Sequence, residues 1–536
     1  MMKCKYMVAL SALAFCGSIN AQDIYKIESL SSGDLNGTAR YVGMGGAMNA
    51  LGADLSTMGT NPAAIGLYRK SDMAFTGSAT VQPNGMEFAE INKARGSFDQ
   101  AGFVVPFRMD SGKLKYVNFG FNYQKRKNFK NFIGLDNIAT RDGESQSWQM
   151  QELAYYNGSV LDLSNRNDCQ YTTPVAMTGY DAQLIAPTRD ADGKLNGYDP
   201  SNSRAYNYRR AQWGGIQEYD FNISFNVNHQ FYVGATFGVY NVNMHSSLQY
   251  DENLQDQNGV LSPYNMDQRE SLTGTGFDAK FGFIFRPLED SPFRIGFSVS
   301  TPIFYDLTAN SYLSMESPYA YTDSKGDTYS RTFADYSVND LEYRIRTPWK
   351  INLSMATTVS NVLALDAEYE VSRYTGAQLR WIDDNSYNWG DDWNFRSSTR
   401  DKAMDKEIDA YLNTVQTFRI GAEARLAPQL YLRAGYNYVS SPFKKDAYLN
   451  AFTDSPAYNY STNTDYVNLG AINRATVGLG YRGKHCYFDM AYQFQKQQGD
   501  VYAFHATNGN DNQNLLKGQT VDLNRHNVMF TLGFKF

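Results

Sequence analysis

Two consecutive segments alternate apolar and polar residues with a period of two, and this pattern is the strongest constraint on the fold of the chain. On one face the first segment carries Tyr219, Phe221, Ile223, Phe225 and Val227, and on the other Asp220, Asn222, Ser224 and Asn226. After Asn228-His229-Gln230 a second alternating segment begins, which predicts a β-hairpin with one apolar and one polar side. Residues 528–536 repeat the alternation. Such strands suit a transmembrane β-barrel, whose outer face meets lipid.

The first residues predict a secretory signal. Lys3 and Lys5 precede an apolar run over residues 7–15, and Ile19-Asn20-Ala21 is a suitable cleavage site. We therefore expect residues 1–21 to be removed. The alternative is lipidation at Cys16, although the bulky Phe15 occupies a position where a small residue is required.

Composition excludes several classes of protein. After the signal there is no apolar run of about 18 residues, so a membrane-spanning helix is not expected and only strands remain for crossing a bilayer. The 40 tyrosines and 32 phenylalanines fit a barrel with aromatic girdles. The chain has 49 Lys and Arg against 55 Asp and Glu without a basic stripe, so no nucleic-acid partner is expected.

Fourteen strands are predicted, and their connections alternate strictly between short and long. The predicted strands are 71–82, 98–108, 114–124, 216–227, 231–250, 272–286, 293–306, 341–357, 362–375, 415–427, 430–440, 471–482, 486–496 and 524–536. An antiparallel barrel with tight periplasmic turns and extended external loops has this alternation. The long loops include 125–215, 307–340 and 376–414, in a barrel domain that spans residues 71–536.

The polar face of the predicted strands carries charges of both signs. Asp278 and Lys280 alternate with phenylalanines, and Asp366, Glu368 and Glu423 oppose apolar residues in other strands. These charges are expected to face the lumen. We interpret them as a network that hydrates and braces the interior, with an ion-selective pore as the alternative.

Residues 22–70 precede the first strand and are predicted to plug the lumen, because fourteen strands enclose more space than their own side chains fill. Within this segment Gly43, Gly45 and Gly46 permit close approach of the backbone to a neighbour. A second motif is Asn61-Pro62-Ala63. The spacing of Met44, Ala47, Met48 and Leu51 predicts a short helix face.

These residues resemble the FadL-type outer-membrane transporters of hydrophobic compounds, which include TodX-like channels and relatives labelled haemin receptors. The resemblance is carried by Gly37 to Gly46, Asn61-Pro62-Ala63, Arg346-Thr347-Pro348-Trp349-Lys350, Phe418-Arg419-Ile420-Gly421-Ala422-Glu423, Leu432-Arg433-Ala434-Gly435-Tyr436-Asn437-Tyr438 and Phe536. It implies a monomeric fourteen-stranded barrel in the outer membrane of a Gram-negative bacterium, inserted among its lipids by the barrel-assembly machinery. It further implies an N-terminal hatch, capture of a hydrophobic ligand by external loops, and sideways release beside a kinked early strand.

Two groups of residues are candidates for those steps. Pro106 and Gly120 are candidate parts of the kink, although a proline near a strand end and a glycine that makes room for the hatch explain them equally well. Helices are predicted near residues 148–156 and 401–412. The candidate ligand-capturing side chains are Trp148, Tyr155, Tyr156, Trp381, Trp389 and Trp393. The alternative is that these aromatic residues pack the loops on one another.

The expected function is uptake of hydrophobic small molecules, either long-chain fatty acids or aromatic hydrocarbons. A haemin receptor is the first alternative, but the five histidines contain no pair with ligand-like spacing. A general porin or a structural barrel is the second. No nucleophile motif such as Gly-x-Ser-x-Gly stands out, so we expect neither an enzyme nor a cofactor or metal site.

Overall fold

A computed structural model describes residues 24–536 apart from 87, 89–93, 111, 157, 166–171, 256–259, 289, 323–327, 361, 383–396, 446, 450–454, 456–459 and 507–513. The predicted signal, residues 1–21, lies outside the described residues. So do Trp389 and Trp393.

Fourteen antiparallel strands form a closed barrel, which confirms the predicted all-β transmembrane barrel. They are β1 (Asp72–Val81), β2 (Ala94–Arg108), β3 (Leu114–Asn128), β4 (Asn202–Val227), β5 (Phe231–Gln255), β6 (Leu261–Phe285), β7 (Arg294–Ser300 and Phe304–Ser317), β8 (Thr332–Arg346 and Lys350–Val359), β9 (Leu363–Arg373), β10 (Thr414–Ala427), β11 (Leu430–Val439), β12 (Tyr466–Arg482), β13 (Cys486–Tyr502) and β14 (Arg525–Lys535). Each strand pairs with the next. The ring closes where β14 pairs with β1, with Asp72 opposite Lys535.

The outer face of the barrel carries an apolar band at the end with the short turns. On β5 the exposed outward side chains from Phe231 to Phe237 are apolar, but from Asn241 onward they are polar. The band therefore spans about nine to eleven residues, the length of a membrane-crossing strand. We call the barrel end with the short turns the turn end and the other the loop end.

Strands β4 to β8 continue well past the apolar band towards the loop end. β4 begins at Asn202 rather than at the predicted residue 216, and β7 and β8 reach Ser317 and Thr332, so the predicted loop 307–340 is much shorter. The prediction was wrong here for a physical reason. Beyond the membrane the outer face meets water, so both faces accept polar residues and the alternation disappears.

Two neighbouring strands break at prolines. Thr301–Ile303 interrupts β7 at Pro302, and Thr347–Trp349 interrupts β8 at Pro348. Proline has no N–H to donate to the ladder. A hydrogen bond connects the two breaks, since the Ile303 amide donates to Thr347 Oγ1 at 2.8 Å.

The long loops fold over the loop end. They contain α3 (Gln146–Glu152), α4 (Pro174–Asp181), α5 (Lys402–Tyr411), a 3₁₀ turn (Tyr374–Gly376) and short strands at Asn131–Ala139, Tyr155–Tyr156, Ser159–Val160, Ile185–Arg189, Leu195–Pro200, Tyr321–Thr322, Thr328–Tyr329, Gln378–Ile382, Ser398–Arg400 and Gln519–Asp522. The helix predicted at 401–412 is confirmed. The one predicted at 148–156 is shifted, since α3 ends at Glu152. Among the described residues no helix is long and apolar enough to cross a bilayer.

The N-terminal segment, residues 24–71, lies inside the barrel. It contains α1 (Ile24–Ser31), α2 (Ala39–Gly43) and two 3₁₀ helices, Leu55–Gly59 and Pro62–Leu67. The helix face predicted from Met44 to Leu51 is wrong, because these residues form turns. Gly45 and Gly46 have φ of 66° and 80°, which end α2.

Candidate functional site

The Asn61-Pro62-Ala63 motif fits into a socket in the barrel wall. Asn61 Oδ1 accepts a hydrogen bond from the Ala63 amide at 3.2 Å and so caps the 3₁₀ helix, while Asn61 Nδ2 donates to Asn49 O at 3.0 Å. A Cβ at Gly282 of β6 would lie 2.8 Å from the Ala63 nitrogen, and one at Gly234 of β5 would lie 2.7 Å from it. Only glycine leaves room for the motif at these two strand positions.

The glycine-rich motif, Gly43 to Gly46, occupies a similar socket at β11. Gly45 lies against Gly435 of β11, and a Cβ at Gly435 would lie 2.7 Å from the Gly45 Cα. A Cβ at Gly45 would in turn lie 2.8 Å from the Tyr436 nitrogen. Both motifs predicted from the sequence are therefore points of close backbone contact between the N-terminal segment and the barrel.

Charged residues of the lumen fasten the same part of the N-terminal segment. Arg40 forms two hydrogen bonds with Glu423, which also pairs with Arg433. The amides of residues 48 and 49 both donate to Glu368 Oε1 at 2.7 Å, and Leu51 N donates to Asp366 at 2.8 Å. This confirms that these charges face the lumen. They hold residues 40–51 against the barrel, and the pair between Arg40 and Glu423 is a charge-assisted hydrogen bond, which is stronger than a neutral one.

The first helix, α1, is held differently. Ile24, Ile27 and Leu30 are buried among apolar residues of the strands and of the loop end. The polar contacts of α1 include a pair between Lys26 and Glu270, a bond from Lys127 to the Ser29 carbonyl and a bond from the Tyr25 hydroxyl to Asn468. Residues 24–31 are thus bound through a buried apolar face together with these polar contacts.

Two interior cavities lie against α1 and the residues that follow it. Their volumes are about 160 and 170 Å³, and both are lined by Glu28, Asp34 and Arg474. We call the first the lower cavity and the second the upper cavity. Because α1 and residues 32–34 border both, displacement of this part of the chain would join them into one chamber.

The lower cavity is lined by an ion-pair cluster with one lysine outside it. Lys280 pairs with Glu218 and Asp220 at 2.8 Å. Lys350, which follows the break in β8, lines the same cavity and forms no ion pair with a described residue. Arg474 Nη2 lies 3.9 Å from its nearest carboxylate, that of Asp34. Lys350 and Arg474 could therefore receive the anionic end of a ligand.

The ladder between β2 and β3 is incomplete towards the loop end. It begins only at Gln100 opposite Gln124, so the edge of β3 beyond Gln124 has no β2 partner among the described residues. The N-terminal segment covers this edge. Asp34 N donates to Arg126 O at 2.9 Å, Asp34 Oδ2 accepts from Asn128 N at 2.8 Å, and Asn36 Nδ2 donates to Lys125 O at 2.9 Å.

Pro106 and Gly120 do not lie at this break. Pro106 pairs with Asn118 and Gly120 with Val104 in a regular stretch, whereas the register of β3 against β4 shifts between Leu114 and Tyr116 and again between Lys125 and Lys127. A Cβ at Gly120 would lie 3.1 Å from Met58 Sδ, so this glycine makes room for the N-terminal segment. A kink role for the two residues stays a prediction.

The predicted capture residues that the structure describes are not brought together. Trp148 packs in the apolar cluster of the loop end, and Tyr155 and Tyr156 form a two-residue strand. Trp381 lies elsewhere, with its indole N–H donating to Asp401 at 2.8 Å. None of these four residues lines either interior cavity. Their packing is that of loops stacked on one another, and a role in capture stays a prediction.

Several site residues were missed by the sequence analysis. The position of Arg474 in a predicted strand indicated that it belongs to a barrel, but not that its nearest carboxylate would lie 3.9 Å away. The roles of Asp34 and Asn36 depend on where β2 stops pairing with β3. No local pattern carries that information.

Solved structures provide comparisons for the whole fold. No protein-family model matches this chain, and no curated protein matches it. The chain resembles FadL-type channels. Similar structures include a FadL homologue of Pseudomonas aeruginosa (14% identity, TM-score 0.49, covering 94% of this chain and 100% of that chain), the toluene transporter TodX of P. putida (11%, 0.44, 94% and 99%) and the toluene transporter TbuX of Ralstonia pickettii (13%, 0.45, 94% and 99%).

Proposed function

We propose that this protein is an outer-membrane channel that takes up amphipathic small molecules with an apolar chain and an anionic end, such as long-chain fatty acids. The observation that carries the proposal is the lower cavity. Apolar residues around α1 adjoin a cavity in which Lys350 forms no ion pair with a described residue. A purely apolar cargo such as an aromatic hydrocarbon would bring no opposite charge to Lys350 and would cover polar groups of the cavity, which costs binding free energy.

In this proposal a ligand enters from the loop end and replaces α1. Burial of its chain contributes about 25 cal/mol per Å² of apolar area, enough for capture from a polar surface. Displacement of residues 24–36 then uncovers the edge of β3. That edge begins at Lys125, which pairs with Gln217 of β4. The last apolar pair of outward-facing residues between the two strands, Tyr123 with Tyr219, lies two residues before it. The cargo leaves sideways at the rim of the apolar band.

The other candidate functions receive less support. A porin needs an open lumen, whereas the N-terminal segment fills the turn end and an apolar cluster fills the loop end. A haemin receptor needs an axial ligand at a pocket. Neither cavity is lined by any of the five histidines, and the hydroxyls of Tyr25 and Tyr466, which line the upper cavity, already bond Asn468 and Asn514.

The test uses two ligands of equal chain length, laurate and dodecanol, with wild type and the Lys350→Met variant. We expect the variant to bind laurate about tenfold more weakly, a loss typical of one charged hydrogen bond. Dodecanol should bind both proteins equally. Weakening of both ligands alike would indicate general damage, and no change for laurate would contradict an anionic subsite at Lys350.

A further inference from the structure

The ring of Tyr25, the second residue of α1, lies in an aromatic site formed by residues of the loop end. Its centroid is 4.8 Å from that of Phe443 and 5.3 Å from that of Tyr466. Tyr466 stacks on Tyr502 at 4.6 Å with an angle of 10° between the rings. Phe443 and Tyr466 are buried, at 5% and 2% exposure. The site thus has two faces fixed by packing, with the Tyr25 ring beside them.

The same site carries a polar group with a fixed direction. The Tyr25 hydroxyl donates to Asn468 Oδ1 at 2.9 Å. Asn468 Nδ2 donates to the Ala447 carbonyl at 2.6 Å, which fixes the orientation of the amide. Asn468 Oδ1 is therefore held towards the hydroxyl of the Tyr25 ring. The site thus suits an aryl group that bears a hydrogen-bond donor.

Tyr25, Phe443 and Tyr466 also line the upper cavity, whose volume is about 170 Å³. An apolar cavity of about 150 Å³ in a protein core is large enough to bind benzene. A single-ring molecule thus fits the upper cavity by volume, and departure of the Tyr25 side chain would enlarge the space.

The attachment of α1 makes such a departure feasible. A helix of eight residues is not stable on its own in water, so α1 is helical only while its apolar face is bound. It is joined to the rest of the segment through Ser32 and Gly33. It behaves as a tethered ligand, whose effective concentration is set by that short connection.

We propose that Tyr25 is a built-in occupant of a ring-binding subsite, and that this subsite takes the hydroxylated aryl end of a cargo molecule, which displaces α1. The inference rests on the proposed function and extends it to phenolic amphiphiles. A phenol satisfies Asn468 Oδ1. Toluene, which lacks the hydroxyl, would leave that half-buried acceptor unpaired, and a site built for a hydroxyl discriminates against analogues without it.

The experiment measures binding of p-cresol and toluene to the full mature barrel in detergent by titration calorimetry. p-Cresol is the tyrosine side chain without its backbone. In Tyr25→Ala we expect p-cresol to bind at least about tenfold more tightly than in wild type, and about tenfold more tightly than toluene, the difference of one buried hydrogen bond. Adding Asn468→Ala should remove the preference for p-cresol.

Two further variants provide a control and a second test. Tyr369→Ala removes a tyrosine whose hydroxyl bonds Gln416 away from both cavities, and should leave p-cresol binding unchanged. Tyr25→Phe keeps the packing of α1 but leaves Asn468 Oδ1 unpaired, so p-cresol should bind it more tightly than wild type. Equal binding of p-cresol and toluene in Tyr25→Ala, or no gain over wild type in both Tyr25 variants, would overturn the proposal. If laurate still binds in that case, the subsite fails while the proposed channel stands.

Discussion

Arg40 of the N-terminal segment and Glu423 of β10 form a bidentate pair, with Nε to Oε2 at 2.9 Å and Nη2 to Oε1 at 2.8 Å. Glu423 Oε2 also accepts from Arg433 Nε at 2.6 Å. Both members of the bidentate pair are largely buried, at 19% and 10% side-chain exposure. The pair ties a residue near the start of the chain to a strand of the distant wall.

Arg40→Met should loosen the N-terminal segment. Loss of a buried charged pair costs about 2–4 kcal/mol, so exchange of the amides of residues 39–51 should accelerate on the order of 30- to 1000-fold. Hydrogen exchange with mass spectrometry measures this. Arg400→Met breaks the more exposed pair with Asp405 and should change stability by less than about 1 kcal/mol. Equal exchange in Arg40→Met and wild type would show that the pair does not fasten the segment.

Gly282→Ala should displace the Asn61-Pro62-Ala63 motif from its socket. The added methyl group would overlap the motif, and overpacking costs about 1–3 kcal/mol. Exchange should increase for the amides of Asn61 and of residues 63–67. The matched control is Gly96→Ala in β2, where the nearest atom to the new Cβ, Ser78 O, is 4.0 Å away, so its effect should stay within about 0.5 kcal/mol. Similar effects of the two substitutions would argue against a socket.

Asp34→Ala should expose one backbone amide at the edge of β3. Asp34 Oδ2 accepts from Asn128 N, so exchange at that amide should rise by about tenfold or more. Asn36→Ala removes a bond to a carbonyl instead and should leave the Asn128 amide protected. Amide-resolved exchange distinguishes the two variants. Protection of Asn128 in Asp34→Ala would mean that another group covers the edge.

Acid should strengthen the closure of the loop end through Glu252. This carboxyl group lies beyond the apolar band and accepts hydrogen bonds from Ser145 at the start of α3 and from Tyr250, both neutral donors. Burial raises its pKa from 4.5 to about 7. The closed form therefore binds a proton more tightly than an open form with an ordinary pKa.

Protonation of Glu252 therefore stabilises the closed loop end relative to the open form. This stabilisation is complete below pH 4.5 and is lost as the pH rises through 7, and the free energy of opening differs by about 3 kcal/mol between these limits. Exchange of α3 amides, corrected for intrinsic rates, should be slower at pH 5 than at pH 8 in wild type. Glu252→Gln should remove most of this dependence. The control Glu316→Gln, at an exposed pair with Arg331, should keep it. An unchanged pH profile in Glu252→Gln would exclude this carboxyl group as the cause.

The sequence predicts the barrel better than the site. Phe277 and Asp278 take opposite faces as expected, because a strand in a membrane has lipid on one side and water on the other. The same reasoning fails for Asn202 and Thr332, where both sides of the strand meet polar surroundings. It also fails for Lys350 and Arg474. Whether a lumen charge has a partner depends on neighbours from distant strands, which local periodicity does not encode.

Retention of ligand by the mature barrel tests the central claim most directly. After delipidation and addition of laurate, native mass spectrometry should show one laurate per wild-type barrel and less in Lys350→Met, while planar-bilayer recordings show no steady ion current. A barrel that retains no laurate and conducts ions continuously would contradict the account and indicate a porin.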